Sequence, residues 1–300
     1  CSSDLEIVPP GTVIGQVTPE AARACGLPEG LPVIAAASDQ PCALLGMGAV
    51  RPGEAVINLG TGTFFMTPLA EPVVDARLMT NIGASPDSWL MMGTFYLTGG
   101  AMSWLRGVLS LDGEKIGYAE LSRLAAEASP GADGLIFLSG LSGTGTPRWD
   151  PEARGLFAGL GLGHTAAHLA RAVMESTGFG VRSILDTYAE LGVTFDKLII
   201  SGGPTASEVW RQSLTDILQR PLILPGTKEA TPLGAAMLAA VAAGRFADPE
   251  EAVRSWQGEA MTVAPRPEYR EVYDRMFELY NAWTDAEAAV RKRTGFVPAD

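Results

Sequence analysis

The chain has 300 residues, of which 47% are hydrophobic and 19% are charged. This content can bury one large core or two modest ones, since single cores stop growing at about 250–300 residues, and it excludes a disordered chain. Thirty-four acidic residues against 22 basic ones give a formal net charge of −12. A nucleic-acid partner is therefore not expected, because such a partner requires an exposed basic face.

The cysteines and the apolar segments indicate the cellular compartment. Cys1, Cys25 and Cys42 are odd in number and lack CxxC spacing, which is typical of a reducing cytoplasm rather than of a disulfide framework. The longest small-apolar stretch, 233–243, is shorter than the ~20 residues that a spanning helix needs, so no membrane segment is expected. The chain starts with Cys1 instead of methionine and continues through a linker-like segment, which suggests the C-terminal portion of a longer protein.

Short elements are predicted in the first hundred residues. Thr18 and Pro19 predict the start of a helix over 21–25, and the apolar run 31–37 predicts a strand that Asp39 closes. A helix over 40–47 is expected next. Strand-like runs then cover residues 55–59, 64–67 and 89–95, with a hairpin turn at 60–63. Two glycines at 99–100 open a helix whose apolar face is expected to contain Met102, Leu105 and Val108.

Strands and helices alternate from residue 135 onwards, which favours α/β packing. The predicted strands cover 135–138, 155–160, 197–203 and 222–224. The predicted helices cover 118–128, 165–191 with a weak place at 178–180, 206–218, 233–243 after a cap at Thr231 and Pro232, and 269–292.

Asp39 and a glycine-threonine turn are the residues that point to chemistry. Gly60, Thr61, Gly62 and Thr63 follow an apolar run, twenty-one positions after Asp39. A carboxylate can accept a hydroxyl proton, and glycines let backbone N–H groups approach phosphate oxygens. The pair is therefore typical of phosphoryl transfer from a nucleotide.

Two further glycine pairs strengthen the nucleotide hypothesis. Gly99 and Gly100 open one predicted helix, and Gly202 and Gly203 lead into another after Ser201. Each turn alone is more often structural, but three of them beside a carboxylate favour a nucleotide site. Free N–H groups at the start of the second helix would attract an anion.

Two other patterns are weaker. The run 159–163 has glycines at every second position, but it departs from GxGxxG and no acidic residue follows at the expected distance, so a dinucleotide site is not expected. His164 and His168 are four residues apart, yet no general base or third ligand accompanies them. No metal-ligating residue is predicted.

One segment matches a family signature: Gly155-Leu-Phe-Ala-Gly-Leu160, seven residues, His168-Leu169, two residues, and Ala172-Val-Met-Glu175. With Asp39, the turn at 60–63 and the glycine pair at 202–203, it resembles the FGGY family of carbohydrate kinases. This family includes glycerol kinase, xylulokinase and ribulokinase. The resemblance extends from about residue 7 to residue 244.

The resemblance implies an α/β, actin-like ATPase (ribonuclease H-like) fold, with a mixed sheet flanked by helices and a β-hairpin. Residues 1–50 would complete an N-terminal sugar-kinase domain and carry the catalytic aspartate, and residues 51–300 would form the ATP-binding domain. The implied reaction is ATP-dependent phosphorylation of a hydroxyl of a sugar or polyol, as in a pentulose kinase or, as the alternative, a glycerol kinase, with Mg²⁺ bridging the phosphates.

The resemblance also assigns roles to single residues. Asp39 would be the general base, and Gln40 would contact the sugar. The nucleotide would be bound by Gly60, Thr61, Gly62, Thr63, Gly99, Ser103, Gly203 and Ser207. Ser103 stands where glycerol kinases have a glutamine, and Ser38 stands where relatives often have glycine.

Most of the family's N-terminal domain is absent from these 300 residues. An N-terminal kinase domain is therefore the expected partner, and the chain alone is expected to be catalytically incomplete. Two alternatives stay open: a non-catalytic nucleotide-binding half, or a glycine-rich scaffold with no nucleotide site. The sequence leaves the sugar, a glycerol kinase-like specificity and homo-oligomerisation undecided.

Overall fold

The computed structural model describes residues 6–85, 88–110, 116–227 and 229–295. Cys1 and Leu5, the first residue of the predicted linker, lie outside these residues. The strands β1 (Val13–Gln16) and β2 (Pro32–Ile34) pair in an antiparallel two-stranded sheet, and helix α1 (Pro19–Cys25) lies between them along the chain. The predicted cap of α1 is confirmed, because the N–H of Ala21 donates to Oγ1 of Thr18 at 3.2 Å.

The prediction that Asp39 ends a strand is wrong. Strand β2 stops at Ile34, and Asp39 is the first residue of helix α2 (Asp39–Gly46), with Ser38 as the N-cap. Ser38 is a favoured N-cap residue, and an acidic residue in the first turn interacts favourably with the helix dipole. These two residues therefore start a helix where the apolar run alone suggested a longer strand.

The remaining elements follow in the order listed here. They are β3 (Glu54–Leu59), β4 (Thr63–Leu69), β5 (Met79–Ile82), β6 (Trp89–Phe95), α3 (Gly99–Leu109), α4 (Tyr118–Glu127), β7 (Ile136–Ser139), β8 (Gly155–Ala158), α5 (Ala166–Glu190), β9 (Lys197–Ser201), α6 (Glu208–Leu218), β10 (Leu222–Pro225), α7 (Ala230–Ala242), α8 (Pro249–Trp256), β11 (Ala260–Val263) and α9 (Arg270–Thr294). None of the described helices is both long enough and apolar enough to cross a membrane.

A mixed sheet of seven strands forms the centre of the described residues, in the order β11-β10-β9-β3-β4-β6-β5. Strands β10, β9 and β3 are parallel to one another, whereas the other neighbouring pairs are antiparallel. Strands β3 and β4 form the predicted hairpin, with Leu59 opposite Thr63. The predicted α/β class and the mixed sheet flanked by helices are confirmed.

The two faces of the sheet are covered by different helices, because successive side chains of a strand point to opposite faces. Ala55 and Ile57 pack with Val181 and Ile184 of α5 and with α6. Val56, between them, packs on the other face in a cluster that includes Ala43 and Leu44 of α2. Helix α7 packs closely against α2 on this second face.

The predicted weak place in the long helix is not a break. Helix α5 runs without interruption through Gly178 and Gly180. A Cβ on Gly178 would lie 2.5 Å from the side chain of Ile217, and one on Gly180 would lie 2.3 Å from the ring of Phe95. The glycines therefore serve close packing, which outweighs their low helix propensity.

Other expectations need correction. Helix α7 begins at Ala230, so Thr231 and Pro232 lie in its first turn instead of capping it. Val108 is 56% exposed and does not share the buried face of α3. Strands β7 and β8 pair in a sheet of their own. The sequence did not predict β5, α8 or β11.

Helix α5 contains a buried ion pair that is hydrogen-bonded to neighbouring elements. Nε of Arg171 donates to Oε1 of Glu175 at 2.8 Å, and both side chains are almost fully buried. The hydroxyl of Tyr273 in α9 donates to the same carboxylate oxygen at 2.7 Å, and Gly131 N–H donates to it at 3.0 Å. Charge and hydrogen bonds together make this burial tolerable.

The Gly180 contact predicts the result of adding one methyl group. Gly180→Ala should lower the free energy of unfolding by about 1–3 kcal/mol, because the Cβ overpacks against Phe95. Gly107→Ala on α3 is the matched control, since no atom lies within 4 Å of its Cβ and alanine should raise helix stability by about 0.5–1 kcal/mol. Urea denaturation measures both, and an equal effect of the two variants would contradict the packing argument.

Candidate active site

The turn between β3 and β4 is hydrogen-bonded to the start of α3. Carbonyl O of Gly60 accepts from the N–H of Gly99 at 3.0 Å, and carbonyl O of Thr61 accepts from Thr98 N–H at 2.8 Å and from Gly100 N–H at 3.0 Å. The first amides of a helix have no partner within the helix, so these bonds replace a side-chain cap. A Cβ on Gly99 would lie 2.7 Å from Gly60 O, which explains the glycine.

Two amides of the turn are left for a ligand. The N–H of Gly60 donates to Gly62 O at 2.7 Å, whereas those of Thr61 and Gly62 donate to no acceptor in the described part of the chain. Gly62 itself is required by the protein, because its Cβ would lie 2.5 Å from Tyr96 O. Thr63 is buried, and its hydroxyl lies 2.6 Å from the hydroxyl of Thr98.

A cavity of about 890 Å³, here called the main cavity, lies beside this turn. Six of the eight residues predicted to bind the nucleotide line it: Gly60, Thr61, Gly99, Ser103, Gly203 and Ser207. Gly62 and Thr63 support the turn from behind. The structure therefore gathers the turn after β3, helix α3 and the segment that leads into α6, although these residues are up to about 150 positions apart in the sequence.

The main cavity has an apolar base and a polar wall. Met102, Met174 and Trp210 form the buried apolar part. Ser122 of α4 contributes to the wall, and its hydroxyl lies 2.6 Å from that of Ser207, which also accepts from Trp210 N–H at the start of α6. Such a combination is typical of pockets for small organic ligands.

Tyr118 stands in the wall at the first position of α4 and is 53% exposed. Hydrogen bonding from Ser103, and to a lesser extent from Arg106, lowers the pKa of the Tyr118 hydroxyl, although burial opposes this shift. Cζ of Arg106 lies 4.8 Å from the centroid of the Tyr118 ring. The three side chains form one contact group between α3 and α4.

The loop after β9 closes the main cavity on its other side. Gly202 has a φ of +101°, and its Cβ would lie 1.8 Å from Leu59 O, so glycine is required there by the fold. Gly203 has no atom within 4 Å of its Cβ position and lines the cavity. A side chain at 203 would therefore enter the space of a ligand.

Asp39 and Gln40 do not line the main cavity. Asp39 is exposed at the start of α2, on the second face of the sheet, and its Oδ1 accepts from Gln40 N–H at 2.9 Å. Gln40 lines a separate cavity of about 520 Å³ with Asn81 and Trp89. Oε1 of Gln40 is buried and accepts no hydrogen bond from the described residues.

A further cavity of about 660 Å³ lies between α2 and the main cavity. Ala43 and Met47 of α2 line it, and it shares Gly203 and Ala206 with the main cavity. The short helical turn Gly203–Ala206 thus separates the two spaces. Helix α2 therefore faces this turn across the further cavity, although Asp39 at its start does not line that cavity.

The histidines and Arg148 have structural partners. His168 Nε2 lies 3.1 Å from Asp133, and its Nδ1 accepts from Thr165 N–H at 3.1 Å at the start of α5. Arg148 pairs with Asp285 at 2.8 Å. Within the described ranges, no three or more histidine, cysteine, aspartate or glutamate side chains are grouped to hold a metal ion.

Comparison with known proteins identifies the class. Residues 55–243 match the C-terminal domain model of the FGGY family of carbohydrate kinases. A glycerol kinase of Myxococcus xanthus is 35% identical over 257 residues, covering 82% of this chain and 50% of the relative. A glycerol kinase of Trichlorobacter lovleyi is 34% identical over 289 residues, covering 94% and 55%. The crystal structure of xylulose kinase from Rhodospirillum rubrum superposes with a TM-score of 0.84 at 33% identity, covering 94% of this chain and 57% of that one.

The fold is therefore that of the actin-like ATPases, as the sequence resemblance implied. The chain belongs to the FGGY family of carbohydrate kinases. It spans about half the length of the curated relatives described above.

Sequence reasoning missed several residues of the main cavity, among them Tyr118, Ser122 and Met174. Tyr118 and Ser122 were assigned only to a helix, and Met174 was also part of the family signature, but neither a helical pattern nor the signature says which residues line a cavity. The one available signal was Tyr118, a large aromatic residue at an exposed helix start.

The buried hydroxyl pair beneath the turn gives a testable consequence. Thr63→Val should lower the free energy of unfolding by about 1–3 kcal/mol, because the buried hydroxyl of Thr98 loses its partner. The double variant Thr63→Val with Thr98→Val should lose less than the sum of the two single variants. Additive losses in a double-mutant cycle of urea unfolding would contradict the pairing.

Proposed function

We propose that the chain is the nucleotide-side half of an ATP-dependent kinase that phosphorylates a hydroxyl group of a sugar or polyol. The main cavity is the principal support. It gathers six of the predicted nucleotide residues beside two turn amides that have no acceptor among the described residues. Backbone amides in such a turn bind phosphate oxygens well.

The proposed chemistry follows from Asp39 and the turn. The Asp39 carboxylate accepts the proton of the substrate hydroxyl while that oxygen forms a bond to the γ-phosphorus of ATP. The bond from the γ-phosphorus to the bridging oxygen breaks, and its electron pair leaves with ADP. The N–H groups of Thr61 and Gly62 stabilise the charge on the transferred group.

Mg²⁺ belongs to the proposal only as an ion that arrives with the nucleotide. The described residues contain no cluster of ligating side chains, and Mg²⁺ is commonly held by substrate phosphates and one or two carboxylates. When bound, it would neutralise phosphate charge. No step of the proposed reaction is assigned to it.

The acceptor is proposed to lie next to Gln40. The buried Oε1 of this side chain has no donor among the described residues, and a substrate hydroxyl would supply one. Relatives named glycerol kinase and xylulose kinase make a polyol and a ketose the first acceptors to test.

The division into residues 1–50 and 51–300, a cytoplasmic location and an N-terminal kinase domain as partner remain part of the same proposal. Helix α2 packs closely on α7 and shares a core cluster with the seven-stranded sheet, which supports a fixed position of Asp39 relative to that sheet but not the boundary at residue 50. A homo-oligomer is left open.

Asp39→Asn in the full-length gene product tests the proposed base. ATP-dependent phosphorylation should fall about 10²–10⁴-fold, because the amide cannot accept the proton. Release of ADP with glycerol or D-xylulose as acceptor measures the rate. Asp285→Asn, in a surface ion pair with Arg148, is the control and should stay near the wild-type rate. Full turnover by Asp39→Asn would remove Asp39 from this role.

Gly203→Val tests the nucleotide assignment. The new side chain enters open space in the main cavity, so the Kd for ATP should rise about 5- to 150-fold while thermal stability stays unchanged. Gly163→Val is the matched control, because Gly163 is exposed, has no atom within 4 Å of its Cβ position and lines none of the cavities described above. Calorimetry with ATP and Mg²⁺ on the 300-residue chain measures both, and equal Kd values for the two variants would contradict the assignment.

A further inference from the structure

The contact group of Tyr118, Ser103 and Arg106 has a geometry that the phosphate end of the main cavity does not require. Arg106 Nε donates to Ile116 O at 2.6 Å, which fixes the guanidinium beside the segment that leads into α4. With its Cζ 4.8 Å from the ring centroid, this guanidinium covers one face of Tyr118. The contact is favourable because a cation is attracted to the ring face.

The second face of the Tyr118 ring is left for another partner. The residue lines the main cavity and is 53% exposed although its ring is large and apolar. The base of the same cavity consists of Met102, Met174 and Trp210, none more than 4% exposed. A flat ligand group lying over this apolar base would bring its plane or its edge to the tyrosine.

The hydroxyl of Tyr118 is also available. Arg106 can only donate hydrogen bonds, so the tyrosine oxygen acts as the acceptor towards it, and the tyrosine hydrogen remains for a third group. Ser103 on α3 is hydrogen-bonded to the Tyr118 hydroxyl and also lines the cavity. Together they can present a donor and an adaptable hydroxyl to the polar edge of a heterocycle.

The turn and Tyr118 contact α3 at positions about one helical turn apart. Ser103 lies four residues beyond Gly99 on α3, which corresponds to a rise of about 6 Å along the helix axis. The turn amides lie at the Gly99 end of this line, and Tyr118 lies at the Ser103 end. Phosphates and a base are likewise separated by a ribose.

We propose that Tyr118 is the nucleobase platform of this chain: the free face of its ring stacks on a purine, and its hydroxyl, with that of Ser103, contacts the edge of the base. Arg106 is a positioning residue that holds the ring from behind. This inference rests on the proposed function, because it assigns the base end of a cavity whose other end holds the phosphates.

Binding to the 300-residue chain tests the platform with two probes, ATP and inorganic tripolyphosphate, each with Mg²⁺. Tyr118→Leu should raise the Kd for ATP about 5- to 150-fold, as expected for the loss of one base–aromatic stack, and should leave the Kd for tripolyphosphate unchanged. Tyr118→Phe keeps the ring and should stay much closer to the wild-type Kd for ATP than Tyr118→Leu.

A matched control exists elsewhere in the chain. Tyr269 lies under a second guanidinium, with Cζ of Arg266 at 4.5 Å from its ring centroid, but it lines none of the cavities described above. Tyr269→Leu should leave both Kd values unchanged. This variant shows whether removing a tyrosine that packs under an arginine is enough to weaken ATP binding, or whether the tyrosine must line the main cavity.

Three outcomes would overturn the inference. The Kd for ATP could be unchanged in Tyr118→Leu, or ATP and tripolyphosphate could weaken in the same ratio, which is the pattern of a purely structural role. If the wild-type chain binds neither ATP nor tripolyphosphate, the proposed function fails and the platform fails with it. If the wild-type chain binds ATP and Tyr118→Leu binds it with the same Kd, only the inference about Tyr118 is overturned and the proposed function stands.

Discussion

Hydrogen bonds between a strand turn and a helix start determine the form of the candidate site. The carbonyl groups of Gly60 and Thr61 satisfy the first amides of α3, which otherwise would need a capping side chain or water. This bond pattern fixes α3 against the end of β3, and α3 in turn carries Ser103 to the wall of the main cavity. It also leaves the amides of Thr61 and Gly62 without an acceptor among the described residues, so one local arrangement both builds the cavity and supplies its donors.

Glycine is required at several positions of the site for different physical reasons, and the sequence pattern does not distinguish them. Gly62 and Gly99 are required because protein backbone approaches them closely, and Gly202 is required by its positive φ and by Leu59 O. Of these four glycines, Gly203 alone has no atom within 4 Å of its Cβ position, and it lines the main cavity. The family resemblance assigned Gly62, Gly99 and Gly203 alike to nucleotide binding. The structure shows that Gly62 and Gly99 are also required by close backbone contacts, whereas Gly203 is not.

Local patterns predicted the elements that local physics determines. The strand over 89–95 agrees with β6 at both ends, because its apolar residues and the flanking turn residues mark it clearly. The prediction that Asp39 ends a strand was wrong. The apolar run 31–37 does not show how many of its residues pair with a neighbouring strand, and only 32–34 form β2. The helix predicted over 165–191 is confirmed, and its weak place at 178–180 stays helical because close packing against Phe95 and Ile217 outweighs the low helix propensity of glycine. The sequence did not place Tyr118 at the cavity, because its contact with Ser103 is between two helices, α4 and α3, and a helical pattern does not show which helices pack together.

The two glycines of α5 have a mechanical consequence for the cavity. Ile217 of α6 packs against α5 at Gly178, and Phe95 of β6 packs against it at Gly180, where the lack of a side chain leaves room. A helix held in this way can neither slide lengthwise nor rotate without displacing one of the two side chains. Met174 precedes Gly178 by four residues, about one turn of α5. The packing that fixes α5 therefore also fixes the position of Met174 at the base of the main cavity. Gly178 and Gly180, which do not line the main cavity, thus help to determine how deep that cavity is.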